Sequence, residues 1–269
     1  MTSLSFVQFK PIFGDVQGNL DQIKKLLPTA KQGIIVLPEL FNTGYAFTSK
    51  EEASRFAEEV PKGETCVMLT GLSKETGSTI VAGFAEKSAS KTYNSAMVVS
   101  RGKFLGVYRK AHLFYKERLW FTPGKTGFPI FNTRDGNVGV MICFDWIYPE
   151  AARVLALNGA DVIAHPSNLV LPGLAQRGMR MRSLENCVFT ITANRVGIEK
   201  RGEDRFRFTG RSQIVSPKMK VLAMANATET AVKSVEVDLL QAQNKMITKL
   251  NNLMEGRRID LYTSLTKPI

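Results

Sequence analysis

The sequence predicts an α/β domain in which two mixed sheets are layered with helices. Three observations carry this. Strand-like and helix-like patterns alternate along most of the chain, as they do where sheets pack against helices. Some neighbouring strand patterns are joined by very few residues, Arg101-Gly102 among them, and so short a link suits antiparallel neighbours rather than a doubly wound parallel sheet. The 269 residues suffice for one large core, and no repeat, low-complexity stretch or Pro/Ser-rich linker divides them, so residues 1–269 read as a single domain.

Taken in order, Leu4 to Phe9 alternates as a strand does, and Asn19 to Ala30 reads as a helix with Asn19 or Asp21 near its cap. Gly33-Ile34-Ile35-Val36-Leu37-Pro38 is a continuous apolar run of the kind covered on both faces. Helices follow around Glu51 to Glu59 and from Cys66 to Thr76, the second stopped by Gly77 in the position that favours a left-handed backbone. Ser78 to Ala85, Thr92 to Ser100 and Lys103 to Arg109 are three consecutive strands. Asn137 to Cys143 is a strand leading to a helix that starts near Pro149 and ends before Gly159. The strand Asp161 to His165, a helix around Met179 to Asn186 and the strand Val188 to Ala193 come next. The strands Ser212 to Val215 and Lys233 to Val237 precede an expected C-terminal helix.

Composition narrows the function class only a little. Hydrophobic residues at 44% and charged residues at 22% exclude a disordered or collagen-like chain. No apolar run approaches a membrane span, and the N-terminus enters a strand pattern without a basic, then apolar, leader, so a soluble cytoplasmic protein is expected. Cys66, Cys143 and Cys187 are widely separated, with no C-x-x-C and no zinc spacing, and the only histidines are His112 and His165. Reduced thiols, no metal and no cofactor are therefore expected. The formal net charge of +12 invites a nucleic-acid reading. Its residues are scattered in short groups, however, and Arg205-Phe206-Arg207-Phe208 reads as a strand with two unlike faces. The charge then serves solubility or attracts acidic substrates, rather than binding nucleic acid.

Chemistry concentrates in three segments, each a strand pattern running into a reactive residue. Leu37-Pro38-Glu39-Leu40-Phe41 carries a carboxylate, Val107-Tyr108-Arg109-Lys110-Ala111-His112-Leu113 an amine, and Val140-Met141-Ile142-Cys143-Phe144-Asp145 a thiol. Strand ends converge on a crevice in α/β folds. Singly, each has an ordinary explanation: a buried cysteine as a small hydrophobe, a lysine in solvent, a glutamate at a cap. Together, and in this order, the three blocks with Pro149-Glu150 resemble the signature of the nitrilase (carbon–nitrogen hydrolase) superfamily, and the likeness runs through His165-Pro166-Ser167-Asn168 and the Arg182–Asn186 helix.

The resemblance implies a four-layer αββα sandwich that pairs into a homodimer. It also implies Glu39 as general base, Lys110 as oxyanion stabiliser and Cys143 as nucleophile, with Glu117, ahead of Pro123-Gly124, as a further glutamate beside them. A thiol is a weak nucleophile at neutral pH until a base or a positive field helps remove its proton. Lys110 and the Phe144 backbone N–H would bind the charge that develops on attack. Tyr45, Trp146 and Asn168, near the motifs in sequence, are expected in the pocket wall. Trp146-Ile147-Tyr148 departs from the arginine and phenylalanine that many members carry after Cys-x-Asp, which affects pocket shape rather than reaction type. A small aliphatic amide is the expected substrate, with nitriles or carbamoyl amines as alternatives. Two readings compete: a papain-like hydrolase built from Cys143, His165 and Asn168, and a non-enzymatic basic module.

Overall fold

The apolar run of β2 (Gly33–Val36) is covered on both faces, as such runs are, and β1 (Thr2–Gln8), despite its alternating Ser5 and Gln8, is buried almost throughout as well. The chain is a computed structural model that describes residues 1–267. Between β1 and β2 runs α1 (Val16–Leu26), capped by the Asp15 carboxylate, which accepts from Gly18 N–H at 3.0 Å. Asn19 and Asp21 lie inside the helix instead of at its cap; the buried Asn19 amide ties Ile12 to Asn42. Helices α2 (Lys50–Phe56) and α3 (Glu64–Glu75) follow, α2 stopping three residues before the expected end. Gly77 takes φ +61° just beyond α3, as expected of that position. Strands β3 (Thr79–Ser88), β4 (Lys91–Ser100) and β5 (Lys103–Arg109) form an antiparallel meander. The turn into β5 has positive φ at both Arg101 and Gly102, the twist a two-residue hairpin needs. A single turn, α4 (Glu117–Trp120), ends this half.

The second half opens with the hairpin β6 (Ile130–Thr133) and β7 (Gly136–Val140), then α5 (Pro149–Leu157) and β8 (Val162–Pro166). Helix α6 (Leu174–Asn186) begins five residues before the expected start and leads to β9 (Phe189–Ala193). A separate hairpin of β10 (Val196–Arg201) and β11 (Asp204–Thr209) follows. On β11 Phe208 is buried while Arg205 and Arg207 are exposed, the two-faced strand the sequence suggests. Strands β12 (Gln213–Val215), β13 (Val221–Met224) and β14 (Ala231–Val237) complete the sheets. No long C-terminal helix follows; α7 (Leu240–Gln243) is one turn. Beyond it the Asn244 and Asn252 side chains accept from the backbone N–H groups of Met246 and Met254, and such local bonds compete with helix.

Two six-stranded mixed sheets result, in the orders β14-β1-β2-β3-β4-β5 and β13-β12-β9-β8-β7-β6. They face each other across one apolar core, where Phe6, Ile34, Val36 and Val81 meet Val138, Val140, Val162 and Ile191. Leu20, Ile23, Leu69 and Leu72 of α1 and α3 cover the outer face of the first sheet. Ala151, Leu155 and Met179 of α5 and α6 cover the outer face of the second. The expected αββα sandwich is what forms. Among the described residues no helix is long and apolar enough to cross a membrane.

Candidate active site

The functional groups collect where the central strands of both sheets end. Past β2 the chain crosses β3, with Leu37 N–H on Val81 O at 2.8 Å and Phe41 N–H on Gly83 O at 3.0 Å. Leu40 adopts φ +49°, which turns the chain directly after Glu39. Gly83 makes this crossing possible: a Cβ there would stand 2.4 Å from Glu39 Cα. Glu39 is fully buried. Its Oε1 accepts from Lys110 Nζ and from Asn94 Nδ2, both at 2.7 Å, whereas its Oε2 has no partner.

Lys110 follows β5 and is held by backbone bonds from its N–H to Asn94 O and from Gly124 N–H to its own carbonyl, both 2.8 Å. Its side chain has no exposure, and its ammonium sits between two carboxylates, Glu39 at 2.7 Å and Glu117 at 2.7 and 2.9 Å. Burial works against this ammonium, yet Glu117, Glu39 and Cys143 together hold its pKa above the ordinary lysine value. Glu117, in α4, also accepts from Phe114 N–H at 3.1 Å. Burial raises its carboxyl to about 7, against the pull of Lys110 and with the repulsion of Glu39.

Cys143 does not end a strand. β7 stops at Val140, and Cys143 opens a 3₁₀ turn (Cys143–Ile147) with φ +41°. The apolar run continues past the last ladder bond, which makes the strand look longer in sequence than it is. Asp145 pins this turn. Its buried carboxylate accepts from Ile142 N–H at 2.9 Å and Tyr108 O–H at 2.8 Å on one oxygen, and from His112 N–H at 3.1 Å and His112 Nδ1 at 2.7 Å on the other. The turn bearing the thiol is thereby tied to the segment bearing Lys110. Burial and the neighbouring Glu39 push the thiol well above its usual pKa, and Lys110 only partly offsets them.

A narrow apolar cavity opens beside the thiol, lined by Cys143, Phe144, Trp146, Asn168, Phe114 and the Leu169–Leu171 segment. Trp146 packs against Gly178, where a Cβ would meet its ring at 2.4 Å. Asn168 donates to the Glu39 carbonyl at 2.8 Å. Tyr45 lines a neighbouring cavity with Glu117, and burial together with Glu117, Glu39 and Cys143 pushes its phenol pKa up. Glu39, Lys110, Glu117 and Cys143 thus meet at one place, with Phe144, Trp146 and Asn168 on one side and Tyr45 on the other. Asn94 and the Leu169–Leu171 wall carried no motif that marks them; Asp145 stood in the Cys-x-Asp block and Phe114 at the end of the lysine block, but neither block gave them a role.

The papain-like reading fails on geometry. His165 is fully buried and approaches the Cys143 carbonyl with Nε2 at 2.8 Å. An acceptor there requires Nε2 to carry the proton, so this ring donates and takes no proton from the thiol. Burial holds its pKa down at about 4, which keeps it neutral. Among the described residues no group of three or more His, Cys, Asp or Glu is arranged to hold a metal ion.

The description of carbon-nitrogen hydrolases matches residues 3–245. The chain belongs to the carbon–nitrogen hydrolase family. It is 49% identical over 265 residues to a nitrilase of Pyrococcus abyssi, covering 97% of this chain and 99% of that one. It is 34% identical over 276 residues to an N-carbamoylputrescine amidase of Solanum lycopersicum, covering 93% and 90%. The carbon–nitrogen hydrolase of Helicobacter pylori G27 superposes with a TM-score of 0.80 at 26% identity, covering 99% and 98%. As a carbon–nitrogen hydrolase of the nitrilase superfamily the chain is an enzyme, and the non-enzymatic basic module is overturned.

Burial, with the repulsion of Glu39 and against the pull of Lys110, lets Glu117 keep a proton to about pH 7 instead of the usual value of 4.5. The folded chain then binds more protons than the unfolded chain between those values, so this group lowers stability as pH rises through that window. Glu117→Gln removes the effect. Its melting temperature relative to wild type is expected to climb between pH 5 and pH 8, by the equivalent of ~1–3 kcal/mol. A difference that stays flat with pH contradicts the assignment.

Proposed function

We propose that this enzyme hydrolyses a small, neutral aliphatic amide to a carboxylic acid and ammonia through a thioester on Cys143. One observation carries the reading: a thiol, an ammonium and two carboxylates share a buried site at the foot of an apolar cavity. Cys143 is the nucleophile, Glu39 the general base, Lys110 an oxyanion donor and Glu117 the residue that positions substrate or water.

The resting sulfur is a thiol, so its proton has to leave during attack. Glu39 Oε1 is occupied by Lys110 and Asn94, and Oε2, unpartnered, is the acceptor for that proton. As sulfur bonds to the carbonyl carbon, negative charge moves onto the oxygen. The three N–H bonds of Lys110 go to Glu39 and to both oxygens of Glu117, so one of the Glu117 bonds opens to receive that oxygen beside the Phe144 backbone N–H. Each donor of this kind is worth about 3–4 kcal/mol in the transition state. Glu39 returns its proton to the departing nitrogen as the carbon–nitrogen bond breaks and ammonia leaves. It then removes a proton from water, which attacks the thioester and frees the acid and the thiol.

The cavity wall supports a small neutral acyl group. Among its lining residues none is charged, whereas a carbamoylated diamine would present a cation that asks for a facing carboxylate. A nitrile is the second reading, favoured by the 49% identity to the Pyrococcus abyssi nitrilase. The same thiol attack would give a thioimidate there, which water converts to the thioester. A homodimer is part of the proposal as well. Val154 and Leu157 of α5 and Met181 and Leu184 of α6 leave apolar side chains exposed on neighbouring helices, and pairing there would buttress the Cys143 turn.

Hydroxylamine added to the reaction is expected to divert product to a hydroxamate in proportion to its concentration, because it competes with water for the thioester. Cys143→Ala should lose both products, while Cys66→Ala and Cys187→Ala retain them. Full activity in Cys143→Ala would remove the thiol from the mechanism. Light scattering at micromolar concentration is expected to give twice the chain mass, and Val154→Glu a single chain; a wild-type monomer contradicts the pairing.

A further inference from the structure

Behind Tyr45 stands a buried ion pair that takes no part in the chemistry above. Arg195, between β9 and β10, is fully buried, and Glu199 on β10 is nearly so. One oxygen of Glu199 pairs with Arg195 Nη1. The other accepts from two consecutive backbone amides, Tyr45 N–H at 3.0 Å and Ala46 N–H at 2.8 Å. Arg195 Nη2 donates to Pro11 O at 2.8 Å, and the guanidinium lies 4.1 Å over the Phe208 ring. Gly44, at φ +83°, admits the segment: a Cβ there would come within 2.9 Å of Glu199 Oε1.

The same hairpin grips the rest of that segment. Arg201 Nη1 donates to Ala46 O at 3.2 Å while pairing with Glu52. Phe206 and Phe208 of β11 meet the Tyr45 ring edge-on, at 5.3 and 5.9 Å. Backbone and ring are both held by β10–β11, and what the grip leaves free is the phenol, on a cavity wall that Tyr45 shares with Glu117. Burying a charged pair costs several kcal/mol in desolvation, so two satisfied amides are a poor reason to keep one. Fixing a single position for the residue that carries those amides is a better one.

We propose that Glu199, held by Arg195, is a positioning residue for the reaction: it fixes the Tyr45–Ala46 backbone so that the Tyr45 phenol meets Glu117. The assignment rests on the reading of Glu39, Lys110, Glu117 and Cys143 given above. With the grip loosened, Tyr45 withdraws from Glu117 and the carboxylate loses its fixed place against Lys110. Substrate still enters the apolar cavity, which Glu199 does not touch, so turnover falls rather than binding.

The test compares Glu199→Gln, Tyr45→Phe and the double variant in the full chain, with whichever amide or nitrile the wild type turns over. Glu199→Gln is expected to lower kcat about tenfold with KM within about twofold. In the Tyr45→Phe background the same change should cost less than about twofold, because the hydroxyl it acts through is already gone. An equal fractional loss in both backgrounds makes Glu199 a general support of the fold and overturns the proposal, as does an unchanged kcat in Glu199→Gln. If Glu199→Gln does not fold, Arg201→Gln holds the same segment from a half-exposed position. It carries the same expectation and is overturned by the same equal loss. Failure of the catalytic reading itself is distinguishable, since it would appear as full activity in Cys143→Ala.

Discussion

The site depends on one buried ammonium shared by two carboxylates. Lys110 has no exposure and touches Glu39 and Glu117 within 2.9 Å. Removing one partner of such a group leaves an unpaired charge in the core, a loss of about 3–5 kcal/mol. The three side chains come from the ends of two strands and a helical turn, so the pairing also fixes how those elements meet. One cation between two anions leaves the cluster short of positive charge. Burial, with the repulsion of Glu39, raises the Glu117 carboxyl to about 7, and burial with Glu39 raises the nearby thiol well above its usual pKa. In the proposed mechanism the cluster holds a thiol rather than a thiolate, and Glu39 Oε2, which has no other partner, is the acceptor of its proton.

A second constraint keeps the thiol in place. The 3₁₀ turn puts Cys143 at φ +41°, a region costly for a residue with a Cβ. Asp145 over-determines it with four hydrogen bonds, two of them to His112, which stacks on Tyr148 at 3.8 Å. His165 adds a bond to the Cys143 carbonyl. Both histidines of the chain therefore serve as scaffolding around the sulfur. The apolar wall of Phe114, Phe144, Trp146 and Leu169 to Leu171 limits water around the cluster, which strengthens every charge interaction inside it.

Much of this was legible in the sequence because it is local. Glu39, Lys110 and Cys143 each follow a recognisable apolar run, and the blocks around them name the family. The meander β3–β5 announced itself through a two-residue turn, and the two-faced β11 through alternating Arg and Phe. What stayed hidden is non-local. Asn94 looks like any polar residue in a strand, and only the folded sheet brings it to Glu39. Glu199 and Tyr45 are far apart in the chain, so the hairpin that holds the pocket wall has no sequence signature. Cys143 was misread as a strand end because apolar character continues through Met141 and Ile142 after β7 has stopped. The expected C-terminal helix gave way to side-chain bonds of Asn244 and Asn252, whose reach to nearby amides no periodicity reports.

The central claim is that the cluster keeps Cys143 protonated until substrate arrives. It is tested most directly by the ultraviolet absorbance of thiolate, read as wild type minus Cys143→Ala across a pH titration, so that Cys66 and Cys187 cancel. No thiolate step is expected below about pH 8.5, the value of a free thiol. A step between about pH 4 and 7, where preformed catalytic thiolates titrate, would contradict the account.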